Sequence, residues 1–82
     1  MVTAVRTQNQ LGAELRRYRK KKNLTQDGLG RLISKRQATI SSLESDGGGT
    51  LETLFAVLSA LDVELVLRPR SRGARAKIGD IF

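Results

Sequence analysis

Residues 24–44 constrain this chain more than any other stretch, because two short apolar stripes of helical period stand there with only a few residues between them. The first lies in Leu24-Thr25-Gln26-Asp27-Gly28-Leu29-Gly30-Arg31-Leu32-Ile33, where Thr25 offers a hydroxyl to cap a helix over residues 26–33 with Leu29, Leu32 and Ile33 as its buried stripe. A turn follows at Ser34, Lys35 and Arg36. The second stripe lies in a helix from Gln37 to about Ser45, with Ile40 and Leu43 facing a core and Gln37, Ala38, Thr39, Ser41 and Ser42 facing outward. Gly28 and Gly30 each cost the first helix about 1 kcal/mol against alanine, so packing rather than propensity must hold it. A glycine in such a helix also permits close approach of a neighbour. Two short packed helices, the second with small polar residues outward, have the shape that a DNA major groove accepts.

The flanking segments supply the remainder of a small domain. From Gln8 to Lys22 the residues Leu11, Leu15 and Tyr18 recur on one helical face, with Thr7 as candidate N-cap and residues 1–7 as a flexible arm. The opposite face carries Arg16, Arg17, Lys20 and Lys21, which serve either as a solvated surface or as phosphate contacts. Ser45 to Gly49 reads as a loop. Thr50 caps a fourth helix, in which Leu51, Leu54, Phe55, Leu58 and Leu61 make an apolar surface expected to form the core. Beyond Asp62, residues 63–68 alternate as a strand with Val63, Leu65 and Leu67 on one face. Nothing else in the chain resembles a second strand, so the expected partner is the same strand of another copy, in an antiparallel ribbon that closes a two-fold dimer. Pro69 stops the strand, and residues 69–82 are read as a flexible basic tail.

Composition narrows the function. An 82-residue chain without cysteine or histidine has no disulfide framework, no thiolate metal site and neither the usual zinc ligand nor the usual general base. Glu14, Asp27, Asp46 and Glu52 form no recognisable acid–base pair, and no phosphate-cradling glycine motif precedes a helix. We therefore expect no catalysis, no cofactor and no metal. No apolar run approaches membrane-spanning length, and a cytoplasmic location is expected. The net charge of +7 and pI near 10.9 suit a polyanionic partner, because neutralised phosphates release condensed counterions. A membrane surface competes for that role, although the tail offers only Ile78, Ile81 and Phe82 as apolar anchors.

The LTQxxL run at residues 24–29, the QATIS of residues 37–41, the glutamate that follows at Glu44 and a strand directly after the last helix resemble the phage-repressor (Cro/cI, or Xre) helix-turn-helix family. Over residues 8–68 the chain is particularly similar to HipB-type antitoxins. Two departures stand in the motif: Gly30 where the family usually has alanine, and Ser34 where it usually has glycine. The resemblance implies a mostly α fold, a bundle of four to five helices plus one C-terminal β-strand pairing across a homodimer. It implies that Arg36, Gln37, Ala38 and Ser42 face base edges, Arg36 reading a guanine or else holding a phosphate, and that Gln26 binds backbone phosphate, with Lys35, Thr39 and Ser41 as further phosphate contacts, Thr39 and Ser41 being alternatively solvent-facing. A glutamine at position 37 suits adenine, whose N6 and N7 a carboxamide matches as acceptor and donor. Arg19 and Glu44 match a buried structural ion pair. HipB-like antitoxins are dimeric autorepressors of palindromic operators that also neutralise a HipA-like serine/threonine kinase toxin, and Ile78, Ile81 and Phe82 are the candidate toxin contacts. The alternative is a free-standing repressor of the same family with no toxin.

Overall fold

The computed structural model describes residues 3–70, and these form four helices: α1 (Gln8–Lys21), α2 (Gln26–Leu32), α3 (Gln37–Asp46) and α4 (Leu51–Leu61). Three of the four begin with a threonine whose hydroxyl accepts an N–H of the first turn: Thr7 from Gln10, Thr25 from Gly28 and Thr50 from Thr53. At α1 the cap is reciprocal. The Gln10 side-chain oxygen accepts from the N–H groups of Thr7 (3.1 Å) and Arg6 (2.6 Å), so the start of the helix also holds the end of the preceding arm. Positive φ at Gly47 (74°) ends α3, and at Asp62 (63°) it ends α4.

The core joins Leu15 of α1, Leu29 of α2, Ile40 and Leu43 of α3, and Leu54, Val57, Leu58 and Leu61 of α4, with Leu11, Tyr18, Leu24 and Ile33 packed at its edge. Each such residue contributes about 1.5–3 kcal/mol when fully buried. The first half of α1 lies tightly on the C-terminal half of α3. A Cβ at Gly12 would stand 2.5 Å from the Leu43 carbonyl oxygen and 2.6 Å from that of Glu44, so only glycine allows this approach. The basic face of α1 is partly committed to its own helix. Arg17 pairs with Glu14 at 2.7 Å and lies 4.8 Å from the Tyr18 ring centroid, and its hydrogen bond holds the Glu14 carboxyl below the ordinary carboxylate range. Arg16 and Lys20 stay exposed.

Two expectations need correction. Leu32 is 62% exposed, because the two-turn α2 meets the core through Leu29 and, at its C-cap, Ile33, and cannot turn a third flank inward. In α4, Leu51 and Phe55 point outward at 71% and 53% exposure, while Thr53 and Val57 take the inward stripe. Both stripes carry apolar residues, and the seating of α4 decides between them. Among the described residues there are four helices and no strand: residues 63–70 leave α4 through a hydrogen bond from the Val63 N–H to the Leu58 carbonyl and then run unpaired, with Leu65, Val66 and Leu67 exposed. A single chain holds no partner for them. No helix among the described residues is long and apolar enough to cross a membrane.

Candidate nucleic-acid interface

The turn between α2 and α3 sets the geometry of the site. Ser34 has φ +59°, a left-handed conformation that costs a residue with a Cβ about 1–2 kcal/mol and explains why glycine is the commoner choice there. The Lys35 N–H then reaches back to the Gly30 carbonyl at 2.8 Å. A Cβ on Gly30 would stand 2.6 Å from the Lys35 carbonyl oxygen, so the two departures from the family pattern belong to one tight turn.

That turn delivers Lys35, Arg36, Gln37 and Ala38 to the start of α3, all exposed. Unlike its neighbours, α3 has no side-chain cap, since Arg36 occupies the N-cap position and makes no capping bond. The positive end of the helix dipole is thus open to an anion. Ser42 is exposed one turn after Ala38 on the same outward face, and Thr39 and Ser41 are half-buried on its flanks. Ser45 also lies on this face, but its hydroxyl donates to the Ser41 carbonyl at 2.8 Å. Asp27, in the first turn of α2, is paired with Arg31 at 3.1 Å, which offsets its charge beside this basic surface.

Beneath the surface sits the Arg19–Glu44 pair, with side chains only 8% and 4% exposed. Arg19 Nε donates to Glu44 Oε2 at 2.5 Å and Nη2 to Oε1 at 3.0 Å, while Nη1 donates to the Leu24 carbonyl at 2.6 Å. One guanidinium so ties α1 to α3 and to the entrance of α2. Gln26 joins this pair to the surface: its Nε2 donates to Glu44 Oε1 at 3.2 Å, and its Oε1 accepts from Gln37 Nε2 at 3.1 Å. From sequence alone Gln26 and Gln37 have separate tasks, phosphate and base, and their contact is not visible. The available signal was that each residue opens one helix of the motif, eleven positions apart.

A family model described as Helix-turn-helix matches residues 15–67. The chain belongs to the Xre-type helix-turn-helix family. No curated protein matches it. Among solved structures it is similar to a HipB point variant in an O2 20mer complex, with 28% identity, 87% of this chain and 100% of that chain covered, and a TM-score of 0.80. It is also similar to HipB in a HipA-HipB-O2-O3 complex, with 28% identity, 85% and 100% coverage and a TM-score of 0.79. A HipB-O4 20mer complex matches with the same four values. The matched residues contain α2, the turn and α3, two helices joined by a short turn within a DNA-binding family. The tail positions Ile78, Ile81 and Phe82 lie outside the described residues.

Proposed function

We propose that this chain is a HipB-like antitoxin: a dimeric, sequence-specific autorepressor that also binds a HipA-like kinase. The observation that carries the DNA-binding part is the start of α3, uncapped, basic and exposed, with Arg36, Gln37, Ala38 and Ser42 offered as base readers. Gln26, Lys35, Thr39 and Ser41 are offered to phosphates around it. Gln37 is the principal reader, and Ala38 suits a thymine methyl. Support for dimerisation comes from apolar surface that the single chain leaves open, on α4 at Leu51 and Phe55 and beyond it at Leu65, Val66 and Leu67. In this reading residues 8–68 are the DNA-binding and dimerisation domain, with Val63, Leu65 and Leu67 in a ribbon between copies. Residues 1–7 are an arm and 69–82 a basic tail bearing the kinase contacts. The similarity to HipB in a complex that contains HipA supports the kinase partner.

The test begins with selection of bound duplexes from a randomised library. We expect a palindromic site, and we expect Gln37→Ala to lower affinity for it by about 1–3 kcal/mol while binding to scrambled DNA barely changes. Full discrimination by the Gln37 variant would remove α3 from the role of reader. Co-purification with a kinase encoded beside this chain distinguishes the antitoxin from a repressor without a toxin.

A further inference from the structure

We propose that residues 63–68 pair with a second copy of this chain in a single register, with the two-fold axis through Val66, and that Glu64 of each copy meets Arg68 of the other to fix that register. This inference rests on the reading of these residues as the contact between copies.

The backbone narrows the choice of register. Opposite residues of an antiparallel pair share a face, so both copies turn Val63, Leu65 and Leu67 the same way only if the axis passes through a residue. Opposite residues also alternate between exchanging both of their N–H···O=C bonds and exchanging neither. The Val63 N–H is already given to the Leu58 carbonyl at 2.9 Å, and Pro69 has no N–H to give. Asp62, with φ +63° and its N–H on the Ser59 carbonyl, belongs to the end of α4 and stands outside a ladder. An axis through Val66 sets Val63 opposite Pro69 in a pair that exchanges no bonds, while Glu64, Val66 and Arg68 exchange theirs. The N–H groups of these three make no hydrogen bond among the described residues. An axis through Leu65 would call on the spent Val63 N–H, or on Asp62 opposite Arg68. An axis through Leu67 would run the ladder past Pro69 and set Val66 against Arg68, and one through Glu64 would set two carboxylates against each other.

The side chains select the same register. With the axis through Val66, Leu65 lies opposite Leu67 of the other copy and Val66 lies opposite itself, so the three apolar side chains that a single chain leaves exposed cover one another. Leu65 and Leu67 share the face of Val63, which packs against the core of its own chain. On the other face, Glu64 lies opposite Arg68 on both sides of the axis. Both residues are exposed, and neither forms an ion pair among the described residues, whereas Glu14, Asp27, Glu44 and Asp62 each have a cation. Opposite charges directly across a ladder stabilise it and like charges weaken it. The segment is thus complementary to itself in charge as well as in apolar surface, and a slipped register loses both ion pairs at once.

The experiment measures the dimer dissociation constant of the full chain by sedimentation equilibrium. In its own dimer Glu64→Arg sets like charges together on both sides of the axis, and so does Arg68→Glu, and each should raise the constant by about tenfold or more. Mixed in equal amounts, the two variants regain both opposite pairs and should associate with each other as tightly as wild type does. The double variant Glu64→Arg/Arg68→Glu should do the same with itself. Because these charges are exposed, the differences should shrink in about 1 M salt. The chain has no cysteine, so single cysteines read the register directly. On oxidation Val66→Cys should link to itself, whereas Leu65→Cys and Leu67→Cys should link to each other in a mixture. Single charge variants that associate as tightly as wild type, a mixture no tighter than its components, or self-linking that is faster at position 65 or 67 than at 66 overturns the proposal. A wild-type chain that sediments as a monomer overturns the reading of a dimer itself.

Discussion

Replacing Arg19 with methionine leaves the Glu44 carboxylate buried at 4% exposure with its guanidinium partner gone. Three donor bonds disappear together: two to Glu44, at 2.5 and 3.0 Å, and one to the Leu24 carbonyl at 2.6 Å. Breaking a buried pair from one side costs about 3–5 kcal/mol, because the surviving charge is uncompensated. A small domain has only about 5–15 kcal/mol in total, so this variant should be mostly unfolded under mild stress. Adding Glu44→Leu removes that stranded charge. The double variant should then recover to within about 2 kcal/mol of wild type, the residue of the loss being the unsatisfied Leu24 carbonyl and the Gln26 amide at about 1 kcal/mol each. Urea unfolding followed by far-UV circular dichroism measures all four corners of the cycle. With a slope of about 1 kcal/mol per molar urea, the single variant should lose about 3 M or more in midpoint. A loss below about 1 kcal/mol for Arg19→Met, or a double variant less stable than the single, would refute the assignment of a desolvated pair.

Ser34→Gly should stabilise the chain by about 1 kcal/mol, since it relieves the left-handed φ of +59° without removing a contact, and thermal melting should move up by about 4–8 °C. Gly30→Ala should lower the melting point even though alanine favours helix by about 1 kcal/mol, because its Cβ meets the Lys35 carbonyl oxygen at 2.6 Å; a gain in stability would mean that the turn yields freely. Leu65→Pro removes a backbone donor from residues 63–68 and should convert a dimer to monomer in sedimentation while the four helices keep their circular dichroism. A variant that still sediments as a dimer would place the contact between copies elsewhere.

Helix starts were legible from the sequence because a cap is a local device. Thr7, Thr25 and Thr50 each accept an N–H three residues on, and the oxygen and the N–H lie within one turn of chain. The family was legible for a related reason, since the two helices of the motif and the turn between them occupy consecutive residues. Gly30 and Ser34 were visible as departures, but their common cause, a turn tight enough to bring the Lys35 oxygen against Gly30, depends on backbone angles that residue types do not state.

What only the tertiary structure decided is whatever depends on how one helix sits on another. Periodicity places Leu51 and Phe55 on one flank of α4 and Val57 on another, and both flanks are apolar enough to be core. The packing of α4 against α1 and α2 chose the second, and Leu32 was turned to solvent by the same kind of choice in α2. The contact of Gln26 with Gln37 likewise required the angle between α2 and α3, which the close approach of α1 at Gly12 and the Arg19–Glu44 pair help to set. Local sequence thus determined where each helix begins and what each of its faces is made of. The faces that meet, and the hydrogen bonds that run from the core to the surface, were decided by packing, because a side chain carries its chemistry with it but acquires its neighbours only when the helices close.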